Sequence, residues 1–411
     1  MRPFHRGRTS ASHFHATARP RRPIDIGRAG IFSHLLWCSS LATPSLLAKL
    51  LVDKFCDRLP FYRQEQRLSR EGIALDRGTM SRWAEDAGMT AGSVVLAMRH
   101  EAFATAFCIA TDATGIAIQP EPSPTKERQP CRKGHFFVLL ADRDHVLFEF
   151  MPRETSAAVA EMFHGYKGYV QADAKSVYDV LFRAPAPDAA DDTQAERHEV
   201  GCWSHARRRF YEAAIDKDAV AREALWRIHR LFELERAWKD DPPARRKVLR
   251  EAHSRPLVDA FFAWAEAEYD KVSDRRGLLR SAFGYVVRQR DALRRFLDDG
   301  RLRLENNASE RELRQIAIGR KAWLFVGSDD HAEAAANLFS LLASCKLHRL
   351  DPEAYLRDLF RVLPHWPRAR YLELAPRYWL QTRARLHARE LELPLGHLTV
   401  PEPPTQEPAA R

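Results

Sequence analysis

The chain has 411 residues, 45% hydrophobic and 29% charged, with a formal net charge of +10. That length accommodates two or three domains and at least one sizeable core, and the composition is that of an ordinary soluble globular protein. No run of eighteen apolar residues occurs, which argues against a membrane span. The basic balance favours a polyanionic partner, nucleic acid being the commonest; a general abundance of arginine is the plain alternative.

The six cysteines, Cys38, Cys56, Cys108, Cys131, Cys202 and Cys345, are dispersed without a Cys-x-x-Cys pair. That speaks against a zinc ribbon and a disulfide framework, and for a reducing cytosol. The first 28 residues hold seven arginines, three histidines and one acid, Asp25. Such a segment cannot bury a core and reads as disordered or as an aberrant start; a basic arm and a targeting sequence are the other readings.

Residues 41–100 read as helices. Pro44 stands near a helix start, with Leu46, Leu47, Leu50 and Leu51 at helical spacing. A second helix follows Pro60, and Asp76 is placed to cap a third. With Arg77, Ser81 and Arg82 exposed, the pattern fits a helix-turn-helix or, equally, a small helical bundle.

From Phe103 the period changes to that of strands. Phe107 to Ile118, His135 to Ala141 and His145 to Phe150 are three strands, the last two joined by an Asp142-Arg143-Asp144 turn. Ser156 to His164 reads as a helix and Gly168 to Asp173 as a fourth strand. Ser176 to Phe182 reads as another helix, Glu199 to Trp203 as a fifth strand, and a basic helix starts at Ser204. This order matches an α/β fold with a mixed five-stranded sheet and flanking helices, as in the ribonuclease H topology, and fits other α/β folds too. Residues 216–300 carry long helical patterns with a Leu225, Ile228, Leu231, Leu234 stripe and look like an all-helical insertion. Asn307 to Ile316 reads as a helix, Lys321 to Val326 as a short extended segment, and Ala332 to Lys346 and Pro352 to Leu363 as helices. The tail from Pro394 is Pro-rich and reads as loose.

Asp112 falls on the first strand and Asp173 at the end of the fourth, strands that are neighbours in that topology. A charge at the end of a buried strand is costly unless something binds it. Each aspartate read alone is as readily a turn or helix cap. Glu310 lies on a predicted helix, three residues after Asn307 and on the same face; Glu305 is its nearest rival and Asp179 a more solvated candidate. Three such acids suit two divalent ions about 4 Å apart, the arrangement used for phosphoryl transfer on nucleic acid. Arg207, Arg208 and Arg209, with Arg320 and Lys321, are basic clusters suited to DNA phosphates. Trp323 and Phe325 suit base stacking, though core packing is the favoured reading.

Several stretches resemble one family. They are Leu41-Ala42-Thr43-Pro44-Ser45-Leu46-Leu47, Leu59-Pro60-Phe61-Tyr62-Arg63, Gln171-Ala172-Asp173, Cys202-Trp203-Ser204-His205-Ala206-Arg207-Arg208-Arg209-Phe210, and the block from Asn306 to Ser328. Together they are similar to insertion-sequence transposases of the IS66 family, within the Asp-Asp-Glu group, over residues 41–400. The resemblance implies a ribonuclease H-like core with Asp112, Asp173 and Glu310 as catalytic, metal-binding triad and two Mg²⁺ or Mn²⁺ ions. Cys202 and His205 match a Cys-x-x-His string that supports the site, and a structural role for the pair is preferred to zinc ligation. Where the family usually has Asp-Glu-Thr-Pro, this chain has Asp112-Ala113-Thr114-Gly115. The coiled N-terminal region and cysteine-bearing segment of longer members have no counterpart here.

On this reading the chain divides into a basic start (1–40), a helical DNA-binding region (41–102), the first part of the core (103–215), a helical insertion (216–300), the core closure carrying Glu310 (301–345) and C-terminal helices with a tail (346–411). The expected activity is metal-dependent 3′-end hydrolysis and strand transfer on DNA, in the bacterial cytoplasm at the nucleoid. Element ends and target DNA are the expected partners, with a homo-oligomer in the DNA complex, accessory proteins of the same element and no membrane. Arg77, Arg82, Arg207, Arg208, Arg320 and Lys321 are the DNA-contact candidates, and Asn307 a supporting residue. A truncated relic that only binds DNA and another ribonuclease H-like nuclease are the alternatives.

Overall fold

The computed structural model describes residues 42–120, 129–183, 196–215, 218–272 and 276–404. The arginine-rich start, most of the Pro-rich loop after the first strand and the segment before the fifth lie outside these residues.

Three helices open the described chain: α1 (Pro44–Phe55), α2 (Phe61–Arg70) and α3 (Arg77–Thr105). Their starts follow from capping chemistry. The Thr43 hydroxyl accepts from the Leu46 N–H with Pro44 at the first helical position, and Asp76 accepts from the Thr79 N–H. Asp53 is buried on α1 and is paired with Lys49 at 2.6 Å and with Arg67 of α2, which fixes the two helices together.

Next come β1 (Cys108–Ile118), β2 (Arg132–Ala141), β3 (His145–Met151), α4 (Ser156–Met162), β4 (Gly168–Gln171) and β5 (Arg197–Val200). The sheet order is β3-β2-β1-β4-β5, with β1–β2 and β2–β3 antiparallel and β1–β4 and β4–β5 parallel. The mixed five-stranded sheet expected from the sequence is therefore present. The expected helix over Ser176–Phe182 is not; a 3-10 turn at Asp179–Leu181 stands there instead. The fifth strand also ends earlier than expected, because Cys202 already occupies the cap of the next helix.

A run of helices follows, α5 (Trp203–Ala214) ahead of the expected insertion and α6 (Ala219–Ala237), α7 (Pro243–Leu249), α8 (Arg255–Lys271), α9 (Leu278–Arg288) and α10 (Arg290–Arg294) within it. The chain then enters α11 (Asn307–Trp323), α12 (Asp329–Leu347), α13 (Pro352–Val362), α14 (Trp379–Ala384) and α15 (Ala388–Glu392). Helix α11 is longer than expected. It absorbs Lys321–Trp323, and only Val326 pairs with the sheet, beside Ile118.

Two apolar cores result. The larger joins α1–α3, the sheet, α12 and α13. Strand β2 is buried at every position from Gly134 to Ala141, as a central strand covered on both faces must be. Helix α12 closes the edge strand β3: the Ser340 and Ser344 hydroxyls accept from the Phe148 and Val146 N–H groups at 2.7 and 3.1 Å. One helical turn separates the two serines, so they match alternate residues of the strand and blunt an edge open to mispairing. The second core packs α5, α6, α8 and α9 around Trp203, Phe210, Phe261 and Phe283. In the tail from Pro394, expected to be loose, residues 394–397 are exposed, while Leu398 is buried and Arg361 donates to the Leu393 and His397 carbonyls.

Candidate active site at the ends of β1 and β4

The β1–β4 ladder closes with Ala110 opposite Gln171. Two residues further along each strand stand Asp112 and Asp173, so the same register carries both acids to the point where the ladder opens. Lys175 marks their convergence. Its ammonium is 3.4 Å from Asp173 Oδ2, 4.0 Å from Asp112 Oδ1 and 3.3 Å from Glu154 Oε1. Glu154 in turn faces the buried His135 of β2 at 3.7 Å.

The two aspartate side chains are largely buried, at 16% and 14% exposure. Burial pushes the Asp112 carboxyl up to about 6; the Ala113 N–H opposes this, and the charges of Asp173 and Glu310 add to it. Burial alone would lower Lys175, but the charges of Asp173, Glu154 and Asp112 overcome it and hold the ammonium above its usual range. Asp173 Oδ1 is buried without a hydrogen-bond partner. An orphaned carboxylate oxygen of that kind is costly unless a cation or water completes it.

Glu310 sits on the first turn of α11, where the helix N-terminus favours an acid. His205 Nε2 is 3.6 Å from Glu310 Oε1, and His205 Nδ1 is buried without a partner. Asn306 fixes the start of α11. Its Nδ2 donates to the Thr111 carbonyl at 2.8 Å, one residue before Asp112, and its backbone N–H donates to Cys202 Sγ at 3.2 Å. Ser309 Oγ closes the turn on the Asn306 carbonyl at 2.9 Å. Cys202 is buried, and burial pushes its thiol up to about 11. It therefore acts as a neutral acceptor for the Asn306 N–H, and thiolate ligation of a metal is disfavoured.

The rival acid Glu305 is engaged elsewhere, accepting from Ser204 Oγ at 2.7 Å. Asn307 does not carry the hydrogen bonds that position α11; it lines a cavity of about 630 Å³ with Glu310, His205, Arg207, Arg208 and the exposed Trp226. Arg208 is exposed and pairs with Glu212, and Arg207 lies over the Phe232 ring. Arg320 donates to Thr114 and to the Gly115 carbonyl, which pins α11 along β1, and Lys321 is exposed beside it. Arg77 and Arg82 are exposed on the first two turns of α3, whose later turns enter the core. Trp323 is half-buried, while Phe325 is exposed.

Among the described residues, no three His, Cys, Asp or Glu side chains stand close enough to hold an ion as they are; Asp112 senses Glu310 through its charge. The donor set itself suits a hard divalent cation: carboxylate oxygens, one of them orphaned, around a position where an ammonium is already stabilised. Four residues that make contacts at the candidate site escaped sequence reasoning: Lys175, Glu154, Asn306 and Ser204. Lys175 alone had a local signal, standing two residues after Asp173.

No helix among the described residues is long and apolar enough to cross a membrane. No solved structure matches the chain. Among curated proteins, it is 29% identical over 374 residues to the uncharacterized protein y4qI of Sinorhizobium fredii, covering 88% of this chain and 67% of that one. It is 30% identical over 369 residues to y4hP of the same organism, covering 83% and 63%. The chain thus spans about two thirds of the length of these relatives. Residues 39–334 match the IS66 transposase family and residues 340–377 match the IS66 C-terminal element. By that match the chain belongs to the IS66 family of insertion-sequence transposases.

Proposed function

We propose that the chain is a metal-dependent DNA transposase whose acid triad is Asp112, Asp173 and Glu310. The observation that carries this reading is the Lys175 ammonium within 4.0 Å of both strand-end aspartates, in one electrostatic cluster with Glu310. The sheet order and the acid positions are read as ribonuclease H-like. The three carboxylates would hold two divalent ions, Mg²⁺ or Mn²⁺. When bound, such ions stabilise phosphoryl charge as Lewis acids and lower the pKa of an attacking water or 3′-hydroxyl.

The chain's own residues do the rest. Burial and like charge keep Asp112 poised for a cation. His205 orients Glu310, and Asn306 sets α11 against β1, from which the three acids would close on a bound cation. Arg207 and Arg208 contact DNA phosphates along the groove beside Glu310, Arg320 braces α11, Lys321 adds a contact from the last turn of that helix, and Arg77 and Arg82 add contacts from α3. The reaction is 3′-end hydrolysis of the element followed by joining to target DNA, with more than one copy of the chain in the DNA complex.

Joining of a labelled element end into plasmid DNA tests this. Wild-type chain with Mg²⁺ or Mn²⁺ is expected to join, and Asp173→Asn to lose at least about a thousandfold in rate, the scale set by removing a group on which charge stabilisation depends. Undiminished joining by Asp173→Asn would overturn the assignment. DNA binding without joining by wild type would leave a DNA-binding relic.

A further inference from the structure

A second cavity of about 690 Å³ lies where the start of β1 and the β2–β3 turn meet the insertion. It is separate from the groove at Glu310. Four aspartates line it, and three are already committed. Asp142 accepts from the Phe107 and Cys108 N–H groups at 2.7 and 3.1 Å, Asp144 pairs with Arg377 at 2.9 Å, and Asp241 pairs with Arg245 at 3.3 Å. The cations are less well served. Among the described residues, neither the Arg143 nor the Arg303 guanidinium makes a hydrogen bond or ion pair. Arg246 is held only by the carbonyls of Lys239, Asp241 and Gly300, and its Nε is buried without a partner. Three guanidiniums therefore share one cleft with no carboxylate in ion-pair contact, and of the carboxylates only Asp142 acts on Arg303, from a distance. Burial first, and the Arg143 charge second, hold Arg303 below the usual arginine range. Both side chains reach solvent at the mouth of the cleft, where two neighbouring guanidiniums favour an anion.

We propose that this cleft is a phosphate site that grips the DNA backbone, with Arg143 and Arg303 as its two anion-binding groups. The identification of the anion as DNA rests on the transposase reading above. Guanidiniums match phosphate oxygens in paired, planar fashion, which favours a phosphodiester over an isolated small acid. The position links the site to the chemistry. The Arg303 carbonyl accepts from Gln171 Nε2 at 2.8 Å, two residues before Asp173. The same strand of chain runs through Leu304 and Asn306 into α11 and Glu310. A phosphate seated on Arg303 thus steadies the segment that positions two of the three acids.

The test is the salt dependence of duplex binding by the full chain without divalent metal, read by fluorescence anisotropy. Losing two phosphate contacts in the Arg143→Gln/Arg303→Gln pair is expected to reduce the log–log salt slope by about 2 and to weaken binding at least about tenfold. Arg143→Lys/Arg303→Lys is expected to keep the slope, and thermal melting of both pairs checks folding. An unchanged slope in the Gln pair, with wild type binding normally, overturns the site and leaves the transposase reading standing. Failure of wild type to bind duplex at all overturns both. If millimolar inorganic phosphate binds in an Arg303-dependent way while the DNA slope is unaffected, the cleft takes a small anion and the backbone assignment falls.

Discussion

Asp112 costs the metal-free protein stability at neutral pH. Its folded value of about 6 lies above the ordinary 3.8, so the folded state binds the proton more tightly than the unfolded one. The penalty is absent below 3.8, grows as pH rises towards about 6 and is complete above that; two pKa units correspond to about 3 kcal/mol. Asp112→Asn is therefore expected to melt higher than wild type in EDTA at pH 8 and to lose that advantage near pH 4. A variant that melts lower at pH 8 would contradict the reading. Asn306 works in the opposite sense. Asn306→Ala leaves the Thr111 carbonyl without its donor and is expected to cost about 1–3 kcal/mol in urea denaturation, together with a larger loss of joining than of DNA binding. Equal losses in both would reduce Asn306 to a general structural residue. The sequence pointed to Asn307, because its three-residue spacing to Glu310 marks a shared helix face. Which of two adjacent asparagines turns inward is decided by contact with Thr111 and Cys202, which lie far away in the chain and leave no local trace.

At the scale of elements, a buried arginine holds the helices of the insertion to the segment that leads back to Asn306. Helices α7 and α8 are joined through a π turn, Arg250–Ser254, a widened turn of the kind that often marks a site of special packing. It directs Arg250 inward. The guanidinium makes a bidentate pair with Glu235, both bonds 2.7 Å, and donates to the carbonyls of Phe296, Asp299 and Leu302. Those carbonyls lie on the segment returning to Asn306. Arg250→Ala strands Glu235 and three carbonyls and is expected to cost about 3–5 kcal/mol; Arg250→Lys, lacking the fork, is expected to recover little. Chemical denaturation of both variants measures this, and full recovery by lysine would contradict the fork's role. In the main core, Gly88 of α3 abuts α12 so closely that a Cβ would lie 2.3 Å from the Ala334 carbonyl oxygen. Alanine is the better helix former by about 1 kcal/mol, yet the clash is with backbone that cannot swing away. Gly88→Ala is expected to destabilise by about 1–3 kcal/mol, and a stabilised variant would show that α3 and α12 part easily. The first three strands were legible because each carries an apolar run of strand length, whereas β5, Arg-His-Glu-Val, does not, and its expected bounds were shifted towards Trp203. Ser176–Phe182 was misread because Val177, Val180 and Leu181 mimic a helical face. Seven residues give too short a helix to stand alone, and Lys175 and Tyr178 are held by the acid cluster and the core instead.

For the whole molecule, the sheet order was readable because three adjacent strands followed by alternating helix and strand leave few topologies, and the register of β1 against β4 then brings Asp112 and Asp173 together. Glu310 was readable only as a helix-borne acid. The placement of its helix against β1 rests on Asn306 and Cys202, contacts that span the insertion and cannot be inferred from spacing. The basic cleft at Arg143 and Arg303 was likewise hidden, since its two arginines are far apart in sequence and meet only through the fold. The central claim is that Asp112, Asp173 and Glu310 form one divalent-ion site. Mn²⁺ titration of the full chain, read by electron paramagnetic resonance in the presence of duplex DNA, tests it most directly. Bound Mn²⁺ is expected for wild type and for Glu305→Gln, with binding weakened at least about tenfold, or about 1.4 kcal/mol, in Asp112→Asn, Asp173→Asn and Glu310→Gln. Equal binding by all five proteins, or a loss in Glu305→Gln with Glu310→Gln unaffected, would contradict it.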